Sequence, residues 1–420
     1  MLSEATPIEA ALGHLNAGRL AEARDAYVAA IRAQPQDEQA WLGLALALGL
    51  GGALGDLLAL AQERERALRD GFLFFHAALG VLMTYRLHAQ IHALADHLPE
   101  AHPFAASAAY HAGCAALLDG QEDRAFAWFA AFKRRIAGRE AALPIGPESH
   151  FNVAFRQGTL IEDHEFTEAL GEAELPPTPL PEFAGPARRG RGPVLAAAAD
   201  RHYFALFAAG LARSVAQAMP EATLHLHVID PDDGSLVLYR EIDAAWPGLA
   251  LNLSTEPAAP YHSGAYYASS RFLIGPALIE RYGGRLVLLD LDIELMASLD
   301  PLLAACDDAG LALFRHDGPG PCSRHPAVLT VWDARGLDLL DRVGRLVRAK
   351  LGVRWPFNWM LDQAALASGI RWARVRRPDI PVAILNERTG GHFQPWLTPL
   401  SHEAKEGLIR AAGIGRPGTR

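Results

Sequence analysis

Two aspartates separated by one residue, Asp290 and Asp292, follow the run Arg285-Leu286-Val287-Leu288-Leu289 and precede Ile293-Glu294. Four consecutive apolar residues predict a short strand buried on both faces. Residues two apart in an extended chain project to the same side, so the two carboxylates are expected together, with Asp292 at the solvent-facing end of the strand. Two hard oxygen ligands so placed, with room left for water and a diphosphate, suit octahedral Mg²⁺ or Mn²⁺. The same residues admit a plainer arrangement, in which Asp290 caps the next element and Asp292 is simply solvated.

An α/β domain would position such a pair. Val194 to Ala198 read as a strand ending near Asp200-Arg201, followed by an amphipathic helix from about Tyr203 to Met219. Leu224 to Ile229 read as a second strand ending in Asp230-Pro231-Asp232-Asp233-Gly234, and Leu249 to Ser254 as a third. A helix from about Ser269 to Arg281 then leads into the Asp-x-Asp segment. Strands alternating with helices, with polar residues gathered at the strand ends, predict a doubly wound α/β domain. Ligands of such sheets bind at the carboxyl ends of the strands, which places Asp200 and Arg201 where a nucleotide could lie.

The whole chain sets the bounds. Its 420 residues, half of them apolar, suggest two domains with ample cores. A net charge of -9 gives no basic footprint for nucleic acid. The three cysteines, Cys114, Cys306 and Cys322, are scattered, which suggests neither a disulfide framework nor a Cys-based zinc site and fits a reducing compartment, the cytoplasm. The apolar run from Ala40 to Gly55 is broken by glycines and falls short of the roughly 20 residues of a membrane helix, so it reads as buried helix.

Residues 1–173 are expected to be all-helical. Ala23, Tyr27 and Ala30 recur at i, i+4 and i+7 on the second of two helices joined at Gly18-Arg19, and Pro35 ends that helix. Trp41, Leu44, Ala45 and Leu48 restart the pattern, and a further unit stands at Ala112-Gly113, Gly120, Ala125, Phe129 and Phe132. This order resembles the tetratricopeptide repeat, which implies a stack of helix pairs presenting a surface to a protein or peptide partner. An ordinary Ala-rich bundle would share the composition. Residues 174–193, rich in proline and then arginine, can be neither helix nor central strand and are expected as a linker whose arginines keep it solvated.

Residues 194–420 resemble the GT-A glycosyltransferases, nucleotide-diphospho-sugar transferases, most nearly glycosyltransferase family 8. The likeness runs from about Pro193 to Trp396 and rests on Asp200, then Tyr267 and Arg271 on a helix, then Leu286 to Asp292, then Asp362-Gln363, and finally His392 ahead of Pro395-Trp396. It implies a nucleotide-sugar donor, most readily a UDP-sugar, contacted by Asp200, Arg201, Tyr267, Arg271 and Asp290. It further implies Mn²⁺ or Mg²⁺ held by Asp290, Asp292 and His392, with Asp362 and Gln363 at the reaction centre. The acceptor would be a glycan or protein. The chain departs from the family in its short loop between His392 and Pro395, in Gln394 where a lysine would stand, and in the absence of Asn around His325 to Trp332.

Two other functions fit parts of the pattern. A catalytically inert scaffold would keep both binding halves, and a His392 unable to reach the two aspartates would favour it. A haloacid-dehalogenase-type phosphatase also sets two aspartates after a buried strand, but needs a later lysine and an acidic pair. Only Lys350 and Lys405 follow the motif, neither in a context that supports that chemistry.

Overall fold

The computed structural model describes residues 6–136, 181–259, 263–316, 320–351, 360–393, 396–399 and 401–411. The first seven residues of the expected linker, Asn358-Trp359 and Gln394-Pro395 lie outside them. Chain contacts divide the molecule into two compact units, Met1–Leu160 and Ile161–Arg420.

The first unit is helical throughout its described part, with successive helices at Pro7–Asn16, Leu20–Ala33, Glu38–Leu50, Leu54–Leu68, Gly71–Thr84, His88–His97, Ala105–Leu118 and Glu122–Ile136. The small residues of the repeating pattern mark close helix approaches. A Cβ on Gly43 would lie 2.4 Å from the Tyr27 ring, and one on Gly113 would lie 2.8 Å from the Phe129 ring. At both places an aromatic side chain fills the gap that the glycine of the facing helix leaves. The run from Ala40 is the core helix Glu38–Leu50, and no described helix is long and apolar enough to cross a membrane.

The second unit is a mixed eight-stranded sheet. Its strands are β1 (Glu182–Phe183), β2 (Val194–Asp200), β3 (Thr223–Ile229), β4 (Ala250–Glu256), β5 (Leu286–Leu289), β7 (Leu311–Leu313), β8 (Leu329–Trp332) and β9 (Val382–Ile384), in the order β1-β4-β3-β2-β5-β8-β7-β9. A separate pair joins β6 (Ile293–Leu295) to β10 (Leu397–Pro399). Strands β2 to β5 are mutually parallel, whereas β8 runs antiparallel to both β5 and β7. Both faces are covered, which is why β5 carries no polar residue: Val287 and Leu289 enter one core with Phe204 and Phe207, while Leu286 and Leu288 enter the other with Phe272 and Val347.

The second half of the expected linker belongs to this sheet. Glu182–Phe183 pair with the outer edge of β4, Arg188 and Asn252 exchange main-chain to side-chain hydrogen bonds of 2.8 and 2.9 Å, and the Arg188 guanidinium pairs with Asp243. Its arginines therefore tie the segment down, and proline keeps it to an edge position.

Candidate active site

The chain leaves β2, builds β3 and β4 outward on one side, then crosses back to place β5 on the other side of β2. The strand order reverses between β2 and β5, and the crevice beyond their carboxyl ends is where a doubly wound sheet takes a ligand. Asp200 closes β2 and Asp290 follows β5, so the sequence-derived candidates from two distant segments meet there.

Three side-chain groups make up the crevice. At the ends of β2 and β3, Asp200 caps the helix Arg201–Ala218 by accepting from Tyr203 N at 2.7 Å, and Arg201 pairs with Asp230 at 3.0 Å. Tyr267 stands beside them: burial raises its hydroxyl pKa, and the charges of Asp200 and Asp230 add to the shift. The neighbouring Tyr266 donates to Glu256, whose other oxygen is 3.3 Å from the buried His227, which anchors the start of the helix Gly264–Tyr282 to β3 and β4.

The second group surrounds Arg271, which is 3% exposed. Its guanidinium is 2.5 Å from Asp290, 3.3 Å from Asp362 and 3.0 Å from the Ala327 carbonyl. Arg271 is thus a buried strut that holds two carboxylates from different elements, with its planar fork already engaged. Asp362, 5% exposed, opens the helix Leu361–Arg376, and its other oxygen accepts from Gln363 N at 2.8 Å. Burial raises the Asp362 pKa, Arg271 opposes that shift, and Asp290 adds to it. Gln363 is half-buried beside it.

The third group is Asp292. Strand β5 stops at Leu289, and residues 290–292 form a turn into β6 rather than continuing extended. The turn carries Asp292 inward, so it is only 8% exposed and not solvent-facing as the alternation of a strand implied. The Tyr203 hydroxyl donates to it at 3.2 Å, and the Lys405 ammonium forms an ion pair with the same oxygen. The Tyr203 pKa is pushed well above its usual range by burial and by the charges of Asp292, Asp290 and Asp200, so this hydroxyl sits in the common field of all three carboxylates.

The sequence pattern did not single out Tyr203, Asp230 or Lys405. Tyr203 lies three residues after the capping Asp200, at the spacing that turns a first-turn side chain over the cap, and this offset was its available signal. Lys405 had none, because its place depends on the pairing of β10 with β6. His392 is exposed, its ring edge-on to His316 with centroids 5.7 Å apart. Among the described residues no three His, Cys, Asp or Glu side chains are grouped to hold a metal. The pair Asp290 and Asp292 still fits a hard divalent cation of the kind that uses one or two carboxylates and takes its remaining ligands from water and substrate phosphate.

No protein-family model matches the chain, and no curated protein matches it. Several solved structures resemble part of it. The WbbM bifunctional glycosyltransferase in its apo form is 15% identical over 55% of this chain and 46% of its own, with a TM-score of 0.34. The glycosyltransferase GlyE of Streptococcus pneumoniae TIGR4 is 12% identical over 53% of this chain and 50% of its own, at 0.34. The galactosyltransferase LgtC in complex with donor and acceptor sugar analogues is 15% identical over 54% of this chain and 97% of its own, at 0.33. The chain spans about half the length of the first two.

Proposed function

We propose that the sheet domain is a GT-A-type glycosyltransferase, nearest to family 8, which moves a sugar from a nucleotide-diphosphate donor to a glycan or protein acceptor. The observation that supports this most is that Asp200 ends β2 and that Asp290 and Asp292 follow β5, where the strand order reverses, with Tyr203 hydrogen-bonded through its N–H to Asp200 and through its hydroxyl to Asp292. In this reading Asp200, Arg201 and Tyr267 border the nucleoside, most readily uridine, and Asp290 and Asp292 hold Mn²⁺ or Mg²⁺ against the diphosphate. A divalent ion held by these two carboxylates would supply Lewis-acid assistance to a departing diphosphate.

The chain's own residues set the geometry. Arg271 keeps Asp290 and Asp362 in register across the crevice, the Tyr203 hydroxyl orients Asp292, and Asp362 with Gln363 fixes the donor sugar at its reacting face. Asp362 is buried and joined to Arg271, so its carboxylate is preorganised to accept from sugar hydroxyls without reorganisation at the moment of transfer. The helical unit, tetratricopeptide-like in its small-residue and aromatic spacing, serves to bind a protein or peptide partner. The buried thiols of Cys114, Cys306 and Cys322 suit the reducing cytoplasm.

A second reading, an inert scaffold, draws on the same ion pairs: Arg271 and Lys405 already neutralise the two aspartates. Release of free nucleotide on incubation with UDP- and GDP-sugars and Mn²⁺ separates the two. An active transferase releases nucleotide from one donor, and Asp290→Asn abolishes the release. Donor binding without release from any donor favours the scaffold.

A further inference from the structure

The pairing of β10 with β6 sets Pro399 opposite Ile293, the residue after Asp292. The helix His402–Ala411 follows in the chain. Lys405, in the first turn of that helix, is delivered to the Asp292 carboxylate, where its ammonium takes the position that a cation would occupy on that oxygen. Its side chain remains 23% exposed, in contrast to the 4% of Arg271 on the neighbouring Asp290. Arg271 is locked by three partners, whereas Lys405 is a compact charge on a flexible stem with a route to solvent.

We infer that Lys405 is a tethered counter-ion that competes with the divalent cation for Asp292 and so sets the affinity of the site for metal. This inference rests on the proposed donor reading. In the free site three carboxylates, Asp290, Asp292 and Asp362, face two cations, Arg271 and Lys405. A diphosphate adds negative charge beside Asp290 and Asp292, whose facing cations Arg271 and Lys405 are both engaged, so it binds poorly while Lys405 stays on Asp292. When a divalent ion takes the Asp292 oxygen, Lys405 is released and its charge becomes available to the diphosphate, so ion and donor favour each other's binding. Without ion, the ammonium keeps the buried Asp292 from standing unpaired, which is the costly state.

The test is direct Mn²⁺ titration of the full chain, without nucleotide, in wild type, Lys405→Ala, Lys405→Met and Lys405→Arg. Removing a charge-assisted contact to Asp292 raises Mn²⁺ affinity by about tenfold in the Ala and Met variants. Lys405→Arg restores the weaker, wild-type-like affinity. As an independent readout, Mn²⁺ speeds tryptic cleavage after Lys405 in the wild type, because the side chain leaves its carboxylate. Unchanged Mn²⁺ affinity in Lys405→Ala and Lys405→Met overturns the inference and leaves the donor reading intact. Absence of Mn²⁺ binding in all four proteins overturns the inference and the cation's role together, and nucleotide release without metal would then show that the donor reading survives.

Discussion

Replacing Arg271 with methionine keeps the length of the side chain and deletes its charge. The guanidinium is buried, and it is the cation that faces both Asp290 and Asp362. Its loss leaves a nearly fully buried carboxylate without a counter-charge, and breaking a buried pair from one side costs about 3–5 kcal/mol. For a unit of this size that corresponds to a fall in thermal midpoint of roughly 10 °C. The deficit carries a pH signature. Burial already raises the Asp362 pKa in the folded protein, so this group favours the fold below the ordinary carboxylate range and disfavours it as pH rises through its raised value. Without Arg271, which opposes the shift, the raised value moves higher still, and the stability gap between variant and wild type widens as pH rises above the ordinary carboxylate range. Urea unfolding of both proteins from that range upward, followed by a probe of the sheet domain, measures the gap. A deficit below about 1 kcal/mol, typical of an exposed ion pair, or one independent of pH, refutes the assignment of Arg271 as a buried strut.

Tyr203→Phe deletes the hydroxyl that donates to Asp292 and is expected to weaken metal-dependent donor binding about tenfold with little change in fold, as titration calorimetry would detect. Asp292→Ala leaves Tyr203 and Lys405 without their shared acceptor, so it should lower stability by about 1–2 kcal/mol as well as remove Mn²⁺ binding; a variant as stable as wild type contradicts the buried placement. In the helical unit, Gly43→Ala drives a methyl group into the Tyr27 ring and should cost about 1–3 kcal/mol, whereas Gly13→Ala, which meets nothing within 4 Å, should be neutral or stabilising by up to about 1 kcal/mol. The pKa values of His111, His225 and His325 are lowered by burial to about 4, about 3 and about 3. Unfolded histidines take up protons near pH 6.5 while these do not, so stability should fall on acidification from that pH toward 4, and His225→Gln should flatten the fall in the sheet domain.

Much of the fold was legible because it rests on local pattern. The apolar run Leu286–Leu289 read as a strand buried on both faces, and it lies between two cores. The helix Arg201–Ala218 fell within a few residues of its expected bounds, capped by Asp200, whereas Gly264–Tyr282 begins five residues before the expected Ser269, capped by Ser263. Gly113, named in the repeating pattern, marks a close helix approach to Phe129, while Gly43, which that pattern did not include, marks the matching approach to Tyr27. Less was legible where long-range pairing decides. Alternation along an extended chain placed Asp292 in solvent, but the chain turns after Leu289 and alternation no longer applies. The proline- and arginine-rich segment before Val194 read as a solvated linker, yet edge pairing with β4 and the Arg188–Asp243 ion pair hold its second half on the sheet. Lys405 lies more than a hundred residues from Asp292, and nothing local announces the contact.

In the proposed reading, the crevice between β2 and β5 binds a nucleotide-sugar through a cation on Asp290 and Asp292. Calorimetric titration of the full chain with UDP- and GDP-sugars, with and without Mn²⁺, tests it most directly. One donor should bind in the presence of Mn²⁺, its binding should be lost without the ion, and Asp290→Ala should remove it while the protein stays folded. Equal donor binding by wild type and Asp290→Ala, or no binding of any donor under either condition, contradicts it.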